Sequence, residues 1–171
     1  IPPTNGLIAM PYSKSFKEQR YEATVPDTLD LADRAKFALN ALAGMLDPEH
    51  DFEIYFIARL NAKQPYMYHE TTGLPTNNPK FAESFPMMRV MCGSDHGRET
   101  EKGMLKMMVS NIAEDGLYYA PARKDRPWHE GVQHIYPSWN EDFANVYGNA
   151  RFMLAMMAHY QCDHNPVWLD R

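Results

Sequence analysis

The chain has few cysteines, no long apolar run and no excess of positive charge, and each shortage excludes a class of protein. Its 171 residues include only two cysteines, which are too few for a disulfide-stabilised scaffold. No stretch approaches the roughly 18 consecutive apolar residues of a transmembrane helix. The formal net charge of −5 argues against nucleic acid or an anionic membrane as the partner.

Motifs that bind common cofactors are missing as well. The sequence contains no glycine-rich phosphate loop, no G-x-S-x-G nucleophile elbow and no CxxC pair. His129 and His134 lie five residues apart, one more than the helical zinc motif H-E-x-x-H allows. A zinc site also needs three or four converging ligands. We therefore predict no cofactor and no resident metal.

Apolar residues, at 44%, recur in patterns typical of helices. Steps of three and four residues predict a helix over 28–46, a second from Asn78-Pro79 to a stop at Gly93, and a third over 98–113. A capping box at 138–141 predicts a fourth helix that runs to about Gln161. Residues 52–60 are rich in aromatic and β-branched types and predict a short strand.

This order of elements predicts an all-α fold with at most one short strand or hairpin. Long amphipathic helices in sequence favour antiparallel helical hairpins, here arranged as a partial (α/α) toroid. Prolines in residues 1–27 indicate an extended N-terminal arm, so the helical domain is predicted to span 28–171. Asn165-Pro166 is typical of another helix start, and we expect the chain to be the front part of a longer protein.

The long loop at 117–139 is the predicted functional region. Aromatic side chains alternate there with charged ones, a mixture that binds sugar rings through their C–H faces and hydroxyl groups. The alternative is that these aromatic residues only pin the loop to the helices. The predicted substrate-binding residues are Tyr118, Tyr119, Arg126, Trp128 and Trp139 of this loop, with His69 and Glu70 of the preceding 61–78 loop.

General acid–base chemistry needs carboxyl groups and histidines near that loop. Glu130 lies among Trp128, His129 and His134, and this setting suits a general acid. Asp95 follows a helix end and is expected to face the same cleft. Lyase or epimerase chemistry would use His129, His134 or Tyr119 to move protons. The predicted catalytic residues are Glu130, Asp95, His129 and His134.

Several segments resemble a known group of proteins. They are VPDTLDLA at Val25–Ala32, DGLYY at Asp115–Tyr119, RPW at Arg126–Trp128 and NPVWL at Asn165–Leu169. They resemble uncharacterised bacterial proteins thought to form (α/α)6 toroids, over most of residues 25–171. The resemblance implies kinship with six-hairpin glycoside hydrolases and polysaccharide lyases, although a fold does not determine a function.

Three functions follow as hypotheses. The first is a carbohydrate-active enzyme, glycoside hydrolase-like or polysaccharide lyase-like, or the N-terminal part of one. The second is a non-catalytic helical module that binds a glycan or a protein partner. The third is a zinc-dependent toroid enzyme.

Overall fold

The computed structural model describes residues 30–69, 73–122, 125–129 and 141–170. Contacts group the chain from Leu31 onward into one compact unit, and the predicted arm at 1–27 lies outside the described residues. Within the described ranges the four α-helices are α1 (Leu31–Gly44), α2 (Asn78–Cys92), α3 (Arg98–Ser110) and α4 (Val146–Asp163).

Three pairs of short antiparallel strands accompany these helices in the described residues. They are β1 (Leu46–Asp47) with β2 (Glu53–Ile54), β3 (Ile57–Arg59) with β4 (Tyr66–Tyr68), and β5 (Tyr119–Ala120) with β6 (Phe143–Ala144). A π-helical turn at Gly73–Asn77 leads into α2, and 3₁₀ turns lie at Pro127–His129 and Pro166–Trp168.

These strands show that the predicted fold class is wrong. An all-α partial (α/α) toroid allowed at most one short strand or hairpin, whereas six strands occur in the described residues. The single strand predicted at 52–60 is two strands, and both predicted loops contribute a strand. A strand of two or three residues shows no periodicity, because its partner segment rather than its own sequence specifies it.

The ends of the helices agree with the sequence-based prediction better than the strands do. Helix α2 begins at Asn78, and Gly93 follows its end with a left-handed φ of +66°, which favours glycine at this position. Helix α4 begins later than predicted, because the side chain of Asn145 accepts a hydrogen bond from the Gly148 N–H and caps it there. Residues 138–140 of the predicted capping box lie outside the described residues.

The apolar core forms where α2 packs against α1, α3 and α4. Its fully buried side chains include Leu39, Phe85, Met104, Met108 and Phe152. Removing one such large side chain typically costs about 2–5 kcal/mol. Within the described ranges, no helix is both long and apolar enough to cross a lipid bilayer.

Helix α4 approaches the π-helical turn at Gly73–Asn77 closely, and this contact fixes the position of the turn. A Cβ atom on Gly148 would lie 1.6 Å from the carbonyl oxygen of Pro75, so only glycine allows α4 to contact the π-helical turn there. The same turn begins at Gly73, which lies against the side chain of Glu53. The core helices therefore determine where the turn meets β2.

Candidate functional site

Two acidic residues face each other across the β1–β2 pair. Asp47 and Glu53 are partners in the register of these antiparallel strands, so their side chains lie on the same face. Asp47 is 6% exposed and Glu53 is fully buried. Buried carboxylates are costly unless they are paired and hydrogen-bonded, and each of these two has its own set of partners.

The loop that joins the two strands has an unusual backbone. Asp51 and Phe52 both adopt positive φ, at 56° and 53°, a conformation that costs on the order of 1–3 kcal/mol for a residue such as Phe. The ring of Phe52 packs over Gly103 of α3, where a Cβ would lie 2.1 Å from it. This contact holds the strained loop and hence the positions of Asp47 and Glu53.

Three side chains gather around one carboxylate oxygen of Asp47. The hydroxyl of Tyr55 donates to Oδ2, while His50 Nδ1 and His69 Nε2 lie 2.7 and 3.0 Å from it. The backbone N–H of Glu49 donates to Oδ1. Burial opposes ionisation of Asp47, but these hydrogen bonds outweigh it and hold the pKa of Asp47 well below its usual range. The hydrogen bond to Asp47 raises the pKa of Tyr55 to about 12.

The two histidines differ in exposure and in their second contacts. His69 is buried, its Nδ1 lies 3.0 Å from the carbonyl oxygen of Ile54, and its ring stacks on Tyr55 at 4.5 Å. The His50 side chain is 37% exposed, and its ring centroid lies 4.9 Å from that of Trp128. His50 therefore links the buried carboxylate of Asp47 to the surface.

Glu53 is held by a different set of partners. Arg126 Nη1 and Trp128 Nε1 donate to Oε2 at 3.0 and 2.8 Å. His129 Nε2 lies 2.9 and 2.8 Å from the two carboxylate oxygens. Arg126 is 3% exposed, so the Glu53–Arg126 pair is a buried salt bridge. These bonds tie the 125–129 segment to β2.

Ring contacts join the partners of Asp47 to the partners of Glu53. His69 and His129 are stacked with centroids 6.5 Å apart, and His50 contacts Trp128 as described above. We call the whole group the Asp47–Glu53 cluster. Its members are Asp47, His50, Glu53, Tyr55, His69, Arg126, Trp128 and His129.

The structure brings four of the predicted site residues together in this cluster. They are His69, Arg126, Trp128 and His129. Tyr118 lies instead in the apolar core, where its hydroxyl donates to the Leu74 carbonyl and burial raises its pKa. Tyr119 donates to Asp115.

The remaining predicted residues lie elsewhere. Asp95 is exposed and pairs with Arg98 on the surface, and the hydrogen bond from that guanidinium lowers the pKa of Asp95. Four predicted residues fall outside the described residues: Glu70, Glu130, His134 and Trp139.

Sequence reasoning missed four members of the cluster: Asp47, His50, Glu53 and Tyr55. One usable signal was present, because Glu53 is a charged residue within the apolar stretch predicted as a strand. A charge in such a position needs a buried partner. The partner was not readable, because Arg126 lies 73 residues further along the chain.

The cluster can carry out two kinds of chemistry. Proton transfer is available at Asp47, since histidine and tyrosine partners share its hydrogen bonds. Metal binding is available at Asp47, His50 and His69, whose ligand atoms all lie within 4.8 Å of one another. Comparison of the chain with models of known protein families, with curated proteins and with solved structures finds no match.

Proposed function

We propose that this protein is a carbohydrate-active enzyme of the hydrolase or lyase type, with its site at the Asp47–Glu53 cluster. The observation that carries the proposal is the in-register pair of buried carboxylates, one of which is bonded to a partly exposed histidine beside a tryptophan. His50 supplies a group that can transfer a proton, and the ring of Trp128 in contact with it supplies a flat apolar face.

His50 is the proton-transfer residue in this proposal. Its Nδ1 faces Asp47, which orients the ring, as a carboxylate does in a catalytic triad. The other ring nitrogen, Nε2, is then left to exchange a proton with a substrate hydroxyl or glycosidic oxygen. General acid–base catalysis of this kind contributes roughly 10²–10⁴-fold to the rate.

Trp128 supplies the surface on which a sugar ring would stack. Its indole N–H is bonded to Glu53, and Arg126 lies against the ring with its Cζ 5.6 Å from the ring centroid. These two contacts hold the ring beside His50. Indole faces bind the C–H faces of sugars, so Glu53 and Arg126 act as positioning residues.

The Asp47 set favours an enzyme over a module that only binds a glycan. A binding module needs the aromatic face but has no use for a buried carboxylate shared by two histidines and a tyrosine. Clusters of titratable groups with shifted pKa values are concentrated at catalytic sites. Asp47 and Tyr55 both carry such shifts, in opposite directions.

The test is a comparison of His50→Asn with His96→Asn in the full chain. Both histidines reach the surface, but His96 lies outside the cluster and serves as the matched control. Wild type is first screened on aryl glycosides and on uronate-containing oligosaccharides, with release of the aryl group or formation of an unsaturated product as the readout. On the substrate that is turned over, we expect His50→Asn to lower kcat by about 100-fold or more.

The control variant should keep wild-type activity, and both variants should keep the wild-type melting temperature. Equal activity of His50→Asn and wild type would remove His50 from the mechanism. Absence of turnover by wild type across the whole substrate panel would overturn the carbohydrate assignment.

A further inference from the structure

We propose that Asp47, His50 and His69 form a binding site for a divalent transition metal ion of the zinc type. This proposal goes beyond the carbohydrate function and does not require it, because with a metal bound His50 would be a ligand and not the proton-transfer residue proposed above. The sequence predicts no metal, because the histidines that lie close together in the chain lack the spacing of metal ligands. His69 reaches Asp47 across 22 residues of sequence, a contact that only the fold creates.

The donor set has the composition of known metal sites. Two imidazole nitrogens and one carboxylate oxygen, all within 4.8 Å of one another, suit zinc and other first-row divalent ions better than calcium or magnesium. Three protein ligands also leave a coordination position for water, as in catalytic rather than structural zinc sites.

The second contact of His69 is the strongest support. The carbonyl oxygen of Ile54 can only accept a hydrogen bond, so the ring nitrogen facing it, Nδ1, carries a proton. The other ring nitrogen, Nε2, faces the carboxylate of Asp47, on the side where a metal ion would bind. Metal-binding histidines usually donate their other N–H to a backbone carbonyl or carboxylate oxygen, and the carbonyl of Ile54 fills that role for His69.

The surroundings of Asp47 would survive metal binding. The Tyr55 hydroxyl and the Glu49 N–H donate to its carboxylate without belonging to the ligand set. These donors orient the carboxylate, as outer-shell partners do at metal sites. A metal would replace only the protons that the two histidines share with Asp47.

The neighbouring residues explain why the proposed metal site has three protein ligands and does not include Glu53. Glu53 lies opposite Asp47, but Arg126, Trp128 and His129 occupy its carboxylate oxygens. Access is available from one side, since the His50 side chain is 37% exposed while those of Asp47 and His69 are 7% and 5% exposed.

The experiment uses the full chain after treatment with EDTA and removal of the chelator. Zinc chloride is titrated calorimetrically, and cobalt chloride serves as a spectroscopic probe whose visible absorption reports coordination. We expect one equivalent of zinc, displacement of cobalt by zinc, and a higher melting temperature with zinc bound. His50→Ala and His69→Ala should each weaken binding on the order of 100-fold. His96→Ala and His164→Ala, which remove surface histidines outside the cluster, should leave it unchanged.

No binding by wild type, or equal binding by wild type and both cluster variants, would overturn the site. NMR of the wild-type protein alone tests the site even if the variants fail to fold. Zinc should shift the imidazole NMR signals of two histidines, and shifts spread over all seven would mean that the metal binds only at the surface. Metal binding without sugar turnover would contradict the carbohydrate function and leave the site standing. Turnover by a protein that binds no metal would overturn the metal site and leave the carbohydrate function standing.

Discussion

Asp47 and Glu53 occupy facing positions on one pair of strands, yet their surroundings differ in kind. Glu53 is fully buried and bonded to Arg126, Trp128 and His129. Asp47 is bonded to Tyr55, His50 and His69, and one of these partners reaches the surface. The same chemical group therefore serves two purposes, which its partners decide.

The difference lies in which partners are fixed and which reach the solvent. Arg126 keeps its charge at any ordinary pH, the indole N–H of Trp128 does not ionise, and the third partner of Glu53, His129, is buried, so Glu53 sits in a fixed arrangement that holds the 125–129 segment. His50, in contrast, is partly exposed beside Asp47, where a histidine can exchange protons with the solvent or bind a metal ion. Glu53 thus supports the architecture of the site, and Asp47 is the place where its chemistry would occur.

The largest expected effect comes from Glu53→Gln. This change leaves the buried Arg126 without its counter-charge, and breaking a buried ion pair in this way costs about 3–5 kcal/mol. Urea denaturation measures the free energy of unfolding. The control is Glu99→Gln, because Glu99 forms an exposed pair with Lys102 and such pairs contribute about 0–1 kcal/mol. A loss no larger than that of the control would mean that Glu53 has no structural role.

A smaller effect is expected from Asp47→Asn, and it depends on pH. The folded state lowers the pKa of Asp47, so the ionised carboxylate stabilises the fold above the unfolded pKa of about 3.9. That stabilisation, on the order of 2 kcal/mol, is lost as the pH falls below this value toward the folded pKa.

The measurement is the free energy of unfolding from pH 7 to pH 2, in the presence of EDTA. Asp47→Asn should be less stable than wild type at pH 7, and the difference between them should narrow as the pH falls toward 2. A gap between them that stays constant over the whole range would show that the ionisation of Asp47 does not contribute to stability.

The smallest expected effect tests the packing on the Glu53 side. A Cβ on Gly73 would lie 3.2 Å from Glu53 Oε1, whereas one on Gly44 would have no heavy atom within 4 Å. Gly73→Ala should therefore lower the free energy of unfolding by about 1 kcal/mol through overpacking. Gly44→Ala, at the end of α1, should be neutral or stabilising by comparison. Equal effects of both changes in chemical denaturation would mean that the Glu53 side tolerates displacement.

Parts of this structure could be predicted from local sequence. Pro79 and Gly93 marked the two ends of α2, because the backbone preferences of proline and glycine act within one turn. The aromatic loop was recognised as a candidate site, and Arg126, Trp128 and His129 do lie in the cluster. The strand pairs were not predictable, since Tyr119 pairs with Ala144 and nothing in either dipeptide indicates the other.

By itself, the sequence determined that four helices form and where α2 begins and ends, because capping, proline geometry and apolar periodicity act over a few residues. The tertiary structure decided which carboxylate meets which partner. His69, Arg126 and His129 reach β1 and β2 only after the helices pack and bring distant loops together. Hydrogen bonds and desolvation act over a few ångströms of space, and sequence separation does not measure that distance.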